Sequence, residues 1–436
     1  MTAQRLSDST LPISYWHATF TPPVPDDPLP PETEVAVVGG GLLGCWTAYW
    51  LAKRGVDVTL IERDVIGWGA TGRNGGFLTG GAAMGYGSAI DAFGRDTARA
   101  VWTLAAEGRD LAERVIADEE IACDFRGPGI LSLALTDDAL ESMRRSLDLM
   151  REDGFAGEIL DRREVQALIR TSLGPDIVGG ALTPDGALLH SGRYLAGLAA
   201  AARQHGARLC RAGVTALTSH ADGTTLSVTL PRSSGAIRAR RVVVAVNAWS
   251  DELVPGVAGL IFPVRGQILA FEPTPHVFET GVGTDVTPTG EYWQQTPDGS
   301  IVIGGCRAEA PSRDVGVREM APTPCVISAI EAVIPRLFPE MGGLRVGHRW
   351  AGLMAFTSDY LPVTDAAPGL PGVWVTGGFC GHGMPFGPRV GRLLAEAVAT
   401  GETPAELHPL RVSRDTLTPI TRADAVSELN RAIVPK

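Results

Sequence analysis

Apolar residues between positions 35 and 62 change their period twice. VAVVGGG (35–41) is an unbroken β-branched run that ends in glycines, LLGCWTAYWLAKRG (42–55) has helical spacing up to a stop at Gly55, and VDVTLIE (56–62) is a second buried strand. Together they predict a β-α-β unit of about 30 residues. Ahead of it, TPPVPDDPLPPE (21–32) is too rich in proline for helix or central strand and reads as an extended lead-in. Helical spacing returns at 88–120 and 137–152, and again at LLHSGRYLAGLAAAARQHGA (188–207). Three strands then follow, RLCRAGVTAL, SVTL across the Asp222-Gly223 turn, and RRVVVAVNAWS, which predict a small antiparallel meander leading back to a parallel sheet. From Phe262 to about Val346 the pattern is strand-rich, with Pro-Asp-Gly turn chemistry at 297–299. The last unit, GVWVTGGFCGHGMPFGPRVGRLLAEAV (372–398), reads as strand, glycine loop and a helix beginning near Arg389. No internal repeat interrupts this order.

With 436 residues, 44% of them hydrophobic and 20% charged, the chain is long enough for more than one core. The expected class is α/β with an α+β substrate part: a Rossmann-like nucleotide-binding domain and a discontinuous second domain on a mainly antiparallel sheet. The expected divisions are a lead-in at 1–31, a nucleotide-binding part from 32–87, 181–255 and 346–405, a substrate part from 88–180 and 256–345, and a tail at 406–436.

Charge narrows the partners. Asp and Glu number 49 against 38 Lys and Arg, with no basic block, so neither a nucleic-acid surface nor an anionic membrane patch is expected. No apolar run reaches the ~18 residues of a spanning helix, and the N-terminus lacks a basic start followed by an apolar stretch. The six cysteines are scattered, with no C-x-x-C pair and no zinc-like Cys/His spacing, which points to a reduced cytoplasm and to no metal site.

Gly39-Gly40-Gly41-Leu42-Leu43-Gly44 satisfies G-x-G-x-x-G between the first strand and its helix. Gly39 permits the turn, Gly41 admits a pyrophosphate to the backbone, and Gly44 lets helix and strand pack closely. The helix N-terminus favours the anion. Glu62 closes the second strand at about the 20-residue spacing of a ribose-binding carboxylate, which argues for an unphosphorylated ribose and hence FAD or NAD. A second bare stretch, GWGATGRNGG (67–76), begins a few residues later. NAD needs only the first β-α-β unit. FAD is longer and bent back, and a further glycine-lined surface suits its ribityl chain and ring.

These two stretches, with Ser14-Tyr15-Trp16, VVVAVNAWS (242–250) and GGFCGHGMPFGP (377–388), resemble the D-amino-acid oxidase-like (DAO) family of FAD-dependent oxidoreductases, and within it the gamma-glutamylputrescine oxidase-like branch. The resemblance spans nearly the whole chain. It implies noncovalent FAD, with Gly39, Gly41, Leu42 and Gly44 at the pyrophosphate, Glu62 at the adenosine ribose, and Arg63 and Val214 at the adenine. It places Ala70, Thr71, Arg73, Asn74, Gly75 and Gly76 along the ribityl chain and ring, Gly352 where relatives carry a flavin-tethering cysteine, and Gly381, His382, Gly383 and Met384 at the pyrimidine end. Sarcosine oxidase-like members grip a substrate carboxylate with basic residues in two flavin loops. The matching positions here are Gly76 and Pro385, so a clamp of that design is absent.

Tyr292, Trp293, Met354 and His382 are the expected substrate-side residues. Tyr292 and Trp293 alternate on one strand, so only one of them faces the flavin. Arg265, Arg307 and Arg349 read as structural, each retaining the option of a carboxylate grip from another direction. No side chain is singled out as acid or base; His382 lies between glycines and is given a positional role. The implied reaction is hydride transfer to flavin N5 from the carbon next to a primary or secondary amine, then imine hydrolysis, with O2 reoxidising the cofactor to give H2O2. Two alternatives stay open: an amino-acid or imino-acid dehydrogenase that passes electrons to a quinone or carrier, and a flavin-binding assembly protein without turnover.

Overall fold

A computed structural model of the chain describes residues 13–421. Two eight-stranded sheets organise it. In the first, Glu32–Val38 lies between Val58–Glu62 and Ser233–Val244, all parallel, with Arg208–Arg211 and Val373–Gly377 extending the parallel set on either side. Val35, Ala36, Val37 and Val38 are all buried, as strands covered on both faces demand. The expected meander is Gly213–His220, Gly223–Leu230 and the first half of Ser233–Val244, whose second half returns to the parallel sheet beside Glu32–Val38.

The second sheet runs Val346–Phe356, Phe262–Phe271, Ile301–Gly305, Glu291–Gln295, Gly281–Thr284, Ile130–Ala134, Gly179–Thr183, Glu158–Asp161. Every pair in it is antiparallel except Gly281–Thr284 with Ile130–Ala134. Helix Pro324–Leu337 covers one face through Val326, Ile330, Val333 and Ile334.

Two segments sit elsewhere than their sequence positions suggest. Helix Arg95–Asp118, expected with the substrate part, shares a core with Trp46 and Leu394 of the nucleotide-binding side, because Val101, Leu104, Leu111 and Val115 form one apolar stripe. Strand Val346–Phe356, expected on the nucleotide side, pairs along its length with Phe262–Phe271. We propose a functional division that follows this packing, with 95–118 joining the nucleotide part and 346–356 the substrate part.

The lead-in is not wholly extended either. Ser14 caps a one-turn helix, Tyr15–Ala18, that buries Tyr15 and Trp16. Residues 1–12 of the lead-in and 422–436 of the tail lie outside the described residues. All six cysteines are free, and five are buried. Among the described residues no helix is long and apolar enough to cross a membrane, and no cluster of His, Cys, Asp and Glu suits a metal ion.

Candidate active site

A cavity of about 990 Å³ runs from the Glu32–Val38 strand to the second sheet, at the upper end of ligand-pocket sizes. At one end lies the Gly39–Gly44 loop. Gly39 has φ +110°, and a β-carbon on it would sit 2.6 Å from the Ala245 carbonyl oxygen. One on Gly44 would overlap the Gly39 carbonyl oxygen. Gly41 differs: its nearest neighbour would be Thr71 Oγ1 at 3.7 Å, so the protein leaves that space open to a phosphate.

Helix Leu42–Lys53 starts here. Thr71 Oγ1 accepts the Leu42 N–H at 3.1 Å, and the amides that follow in the first turn are left for an anion. Glu62 accepts the Gly40 N–H at 2.7 Å and the Asp64 N–H at 2.9 Å, which fixes the carboxylate at the rim of the nucleotide end. Burial pushes its carboxyl up from the usual range. Val214 lines the same end, and the Arg63 guanidinium lies 5.0 Å from the Trp249 ring centroid.

The second glycine stretch is held from behind. Ser14 Oγ donates to Gly72 O at 2.7 Å, Trp350 Nε1 to Arg73 O at 3.0 Å, and Trp16 Nε1 to Asn74 O at 2.6 Å. Gln294 Nε2 donates to Gly75 O at 2.6 Å and to Gly76 O at 3.1 Å. Each peptide is planar, with N–H opposite C=O. Carbonyls pinned into the protein therefore turn the amide side of residues 73–75 toward the cavity, which Arg73, Asn74 and Gly75 line; Gly76, expected beside the ring, does not line it, because its N–H is bound by Asn74 Oδ1.

Asn74 Oδ1 turns back to accept the Gly76 N–H and the Ser191 hydroxyl. Arg73 is 2% exposed, donates to Trp68 O and Ala351 O, and stacks 4.5 Å over Trp68. Burial brings its pKa down to about 10, so it remains a cation at neutral pH. Ala70 opens the short turn that carries Thr71 and Arg73. Of the bracing residues only Ser14 and Trp16 belong to a motif flagged in the sequence; Gln294 and Trp350 carry no local signal.

Gly352 faces Arg73 from the Val346–Phe356 strand, and Met354 lines the cavity two residues on. The final helix begins at Gly383, not near Arg389, so Gly381 and His382 form its entry and Gly383 and Met384 its first turn. Pro385 falls in that first turn, where a missing N–H costs nothing, so the run of breakers does not delay the helix. His382 Nδ1 is buried without a hydrogen-bond partner, and burial lowers the imidazole pKa, keeping the ring neutral at pH 7.

Strand Glu291–Gln295 forms the far wall. Tyr292 lines the cavity edge-on to Phe77, and burial raises its phenol pKa to about 12. Trp293 is a correction to the expected substrate residues: it is fully buried in the second core with Phe278 and Phe338, because alternation turns it to the opposite face. Arg265 pairs with Asp314 at 2.7 Å and Arg349 with Glu331 at 2.9 Å, both away from the site. Arg307 lines the cavity itself, together with Phe356 and Tyr360. The carboxylates Asp285 and Glu291 also border it, which adds polar groups to this wall.

The geometry so far describes a two-loop cradle for a bent dinucleotide that reaches a second sheet. A family model described as FAD dependent oxidoreductase (DAO) matches residues 34–397. The chain belongs to this family. It is an FAD-dependent oxidoreductase, and the phosphate loop, the pinned loop and the helix start at Gly383 fit that cofactor. The DAO protein is 27% identical to gamma-glutamylputrescine oxidoreductase of Escherichia coli (strain K12) over 88% of each chain. It is 26% identical to glycine oxidase of Pseudomonas aeruginosa over 84% of this chain and 95% of that protein. The crystal structure of glycine oxidase from Geobacillus kaustophilus shares the fold with a TM-score of 0.76 at 22% identity, covering 88% of this DAO protein and 99% of that chain.

Proposed function

We propose that the protein oxidises a primary or secondary amine at the carbon next to nitrogen and that O2 is the final electron acceptor, yielding H2O2. The observation that carries the reading is the continuity of one cavity: Arg73, Asn74 and Gly75 lie between the phosphate loop and the wall of Tyr292, Met354 and Tyr360. FAD, when bound, supplies the hydride acceptor at the point where these surfaces meet. Two relatives above 25% identity, a gamma-glutamylputrescine oxidoreductase and a glycine oxidase, are named for substrates with an oxidisable carbon–nitrogen bond, which supports the same reading.

The protein's share is to bind, orient and hold protons in place. Gly39, Gly41, Leu42 and Gly44 take the pyrophosphate, Glu62 the ribose hydroxyls, and Arg63 and Val214 the adenine. Ala70, Thr71, Arg73, Asn74, Gly75 and Gly352 form the bed of the ring, and Gly381, His382, Gly383 and Met384 its far edge, where the helix N-terminus favours negative charge. On the substrate side, Tyr292 and Met354 exclude water. A donor amine must be neutral, since an ammonium has no lone pair to release, and free alkylamines keep their proton to about pH 10. The cations Arg73 and Arg307 on the cavity wall oppose a further positive charge and so favour the neutral amine. Water then splits the imine to a carbonyl product and a smaller amine. We place the enzyme in the cytoplasm, where free thiols stay reduced.

An anaerobic titration of the holoenzyme with alkylamines, N-methyl amines and amino acids tests this. Bleaching of the oxidised flavin band is expected with at least one of them, and one equivalent of peroxide per substrate consumed in air. Bleaching without peroxide would make the protein a dehydrogenase that hands electrons to a quinone or carrier, and no bleaching at all would remove the amine reading.

A further inference from the structure

After the short helical turn Ala405–Leu410, the chain runs back to the turn at 357–361, which follows strand Val346–Phe356. Arg414 makes the main contact. Its side chain and that of Asp359 are 9% and 4% exposed. Arg414 Nε donates to Asp359 Oδ2 at 2.6 Å and Nη2 to Oδ1 at 2.8 Å, while the same guanidinium donates to the Leu361 carbonyl at 2.6 Å and the Pro362 carbonyl at 3.0 Å. A guanidinium fork matches a carboxylate in charge and shape. Burial alone would raise the Asp359 carboxyl, but the hydrogen bond and charge of Arg414 hold it below the usual range, so the pair is ionised at neutral pH. On either side of Arg414, Thr416 Oγ1 donates to Asp359 Oδ2 at 2.7 Å, the Thr418 N–H to Ser358 Oγ at 3.0 Å and the Val412 N–H to Asp365 Oδ2 at 3.0 Å. Leu417 is buried in the core that holds Val363 and Val375. Ile420 packs against Phe262, Phe356, Tyr360 and Cys380, with its N–H on the Gly259 carbonyl.

The turn so held carries part of the cavity. Tyr360 and Cys380 both line it, and both have left-handed backbone, with φ of +62° and +51°. A bulky residue persists in that conformation only where the surrounding structure holds it. Thr357 ties the two together: its Oγ1 donates to the Leu361 carbonyl at 2.8 Å and lies 3.6 Å from Cys380 Sγ, while the Cys380 N–H donates to the Ala355 carbonyl at 2.8 Å. Cys380 directly precedes Gly381 and His382, the cavity-lining entry of the final helix. Within the turn Asp359 accepts only the Leu361 N–H, at 3.2 Å; among the described residues, its other hydrogen bonds come from Arg414 and Thr416. Contacts therefore run without a gap from Arg414 through Asp359 and Thr357 to the helix entry.

We propose that residues 411–421 are a strap and that Arg414 is a positioning residue for the flavin cavity: through Asp359 it sets the 357–361 turn, and with it Tyr360, Cys380 and the helix entry at Gly381 and His382. Arg414 itself does not line the cavity and acts only through these neighbours. The strap touches the site from outside, so releasing it loosens one wall while the phosphate loop and both cores keep their own contacts. This inference concerns the cavity of the FAD-dependent oxidoreductase and does not rest on the amine-oxidising reading.

The buried thiol of Cys380 reports on the strap without any turnover. Holoenzyme carrying Cys325→Ser, which removes the exposed thiol, is treated with an aromatic disulfide reagent, and mass spectrometry follows the labelling of Cys380. Visible circular dichroism of the bound flavin is recorded alongside. Arg414→Gln should speed Cys380 labelling roughly 100-fold or more, because breaking a buried ion pair makes local opening easier, and should change the flavin dichroism. Arg414→Lys keeps the charge without the fork and should fall between parent and Arg414→Gln. Thr416→Val takes one hydrogen bond from Asp359 and should speed labelling several-fold. Ile330→Ala, in the core of the second sheet, lowers overall stability and should leave both readouts at parental values. Three results would each overturn the positioning role: an Arg414→Gln labelling rate within about 3-fold of the parent, an unchanged flavin dichroism in that variant, or an equal acceleration in Ile330→Ala. If Arg414→Gln does not fold, Thr416→Val decides, and a parental rate there overturns the role.

Discussion

The two glycine loops that border the cavity differ in what fixes them. The Gly39–Gly44 loop is largely its own template: Gly44 packs on the Gly39 carbonyl, and Gly39 on the neighbouring strand end at Ala245. The Gly72–Gly76 stretch has no such self-sufficiency, since its carbonyls are held by Ser14, Trp16, Gln294 and Trp350, from opposite ends of the chain. Bare backbone is thus held in two ways, one written locally and one written by the whole fold.

The largest effect is expected at the self-contained loop. Gly44→Ala puts a methyl into the Gly39 carbonyl and should cost about 3 kcal/mol or more, seen as colourless protein or as a lowered urea midpoint. Retention of full FAD content with parental stability would break the claim that this loop is fixed by its own contacts. At the other loop, Gln294→Leu strips the donor from Gly75 and Gly76 and leaves Arg126 without its Gln294 oxygen. That should cost about 2 kcal/mol and weaken FAD roughly 30-fold in equilibrium dialysis; an unchanged constant would mean the loop holds its shape unaided.

Acid should separate the loops further. His17 stacks on Trp68, and His190 lies against Trp16 and accepts the Arg193 N–H. Burial brings both pKa values down to about 4 from 6.5, with Arg73 and Arg193 adding to the shift. In the unfolded chain these rings take up protons below 6.5, whereas the folded protein resists until about 4. Stability is therefore complete above pH 6.5 and declines as the pH falls toward 4. Released flavin fluorescence should rise across that window, and His17→Gln should flatten it. The smallest change is Thr71→Ala, which frees the Leu42 N–H and should cost about 1 kcal/mol with a modest rise in the FAD dissociation constant.

The same contrast explains what was legible in the amino-acid pattern. The parallel strands, their order of appearance, the meander and the phosphate loop rest on neighbours in sequence and could be read there. Gly67–Gly76 was recognisable as bare backbone, but not what holds it: Trp350 reaches Arg73 across 277 positions and Gln294 reaches Gly75 across 219. Alternation announces that Tyr292 and Trp293 face opposite ways without saying which face is the core. Prolines at 385 and 388 read as breakers, although the first occupies a helical turn that tolerates it. Arg307 read as structural because nothing local reveals that it lines the cavity and, among the described residues, forms no ion pair.

Trp350 lies on a strand that follows four-fifths of the chain, while Ser14 and Trp16 stand near its beginning. During synthesis the Gly39–Gly44 loop can take shape early, yet the second glycine stretch lacks its Trp350 brace until the ribosome has passed the later strand. Tight flavin retention would thereby report that translation has passed the Val346–Phe356 strand, and a polypeptide ended before it would be marked by its lack of colour.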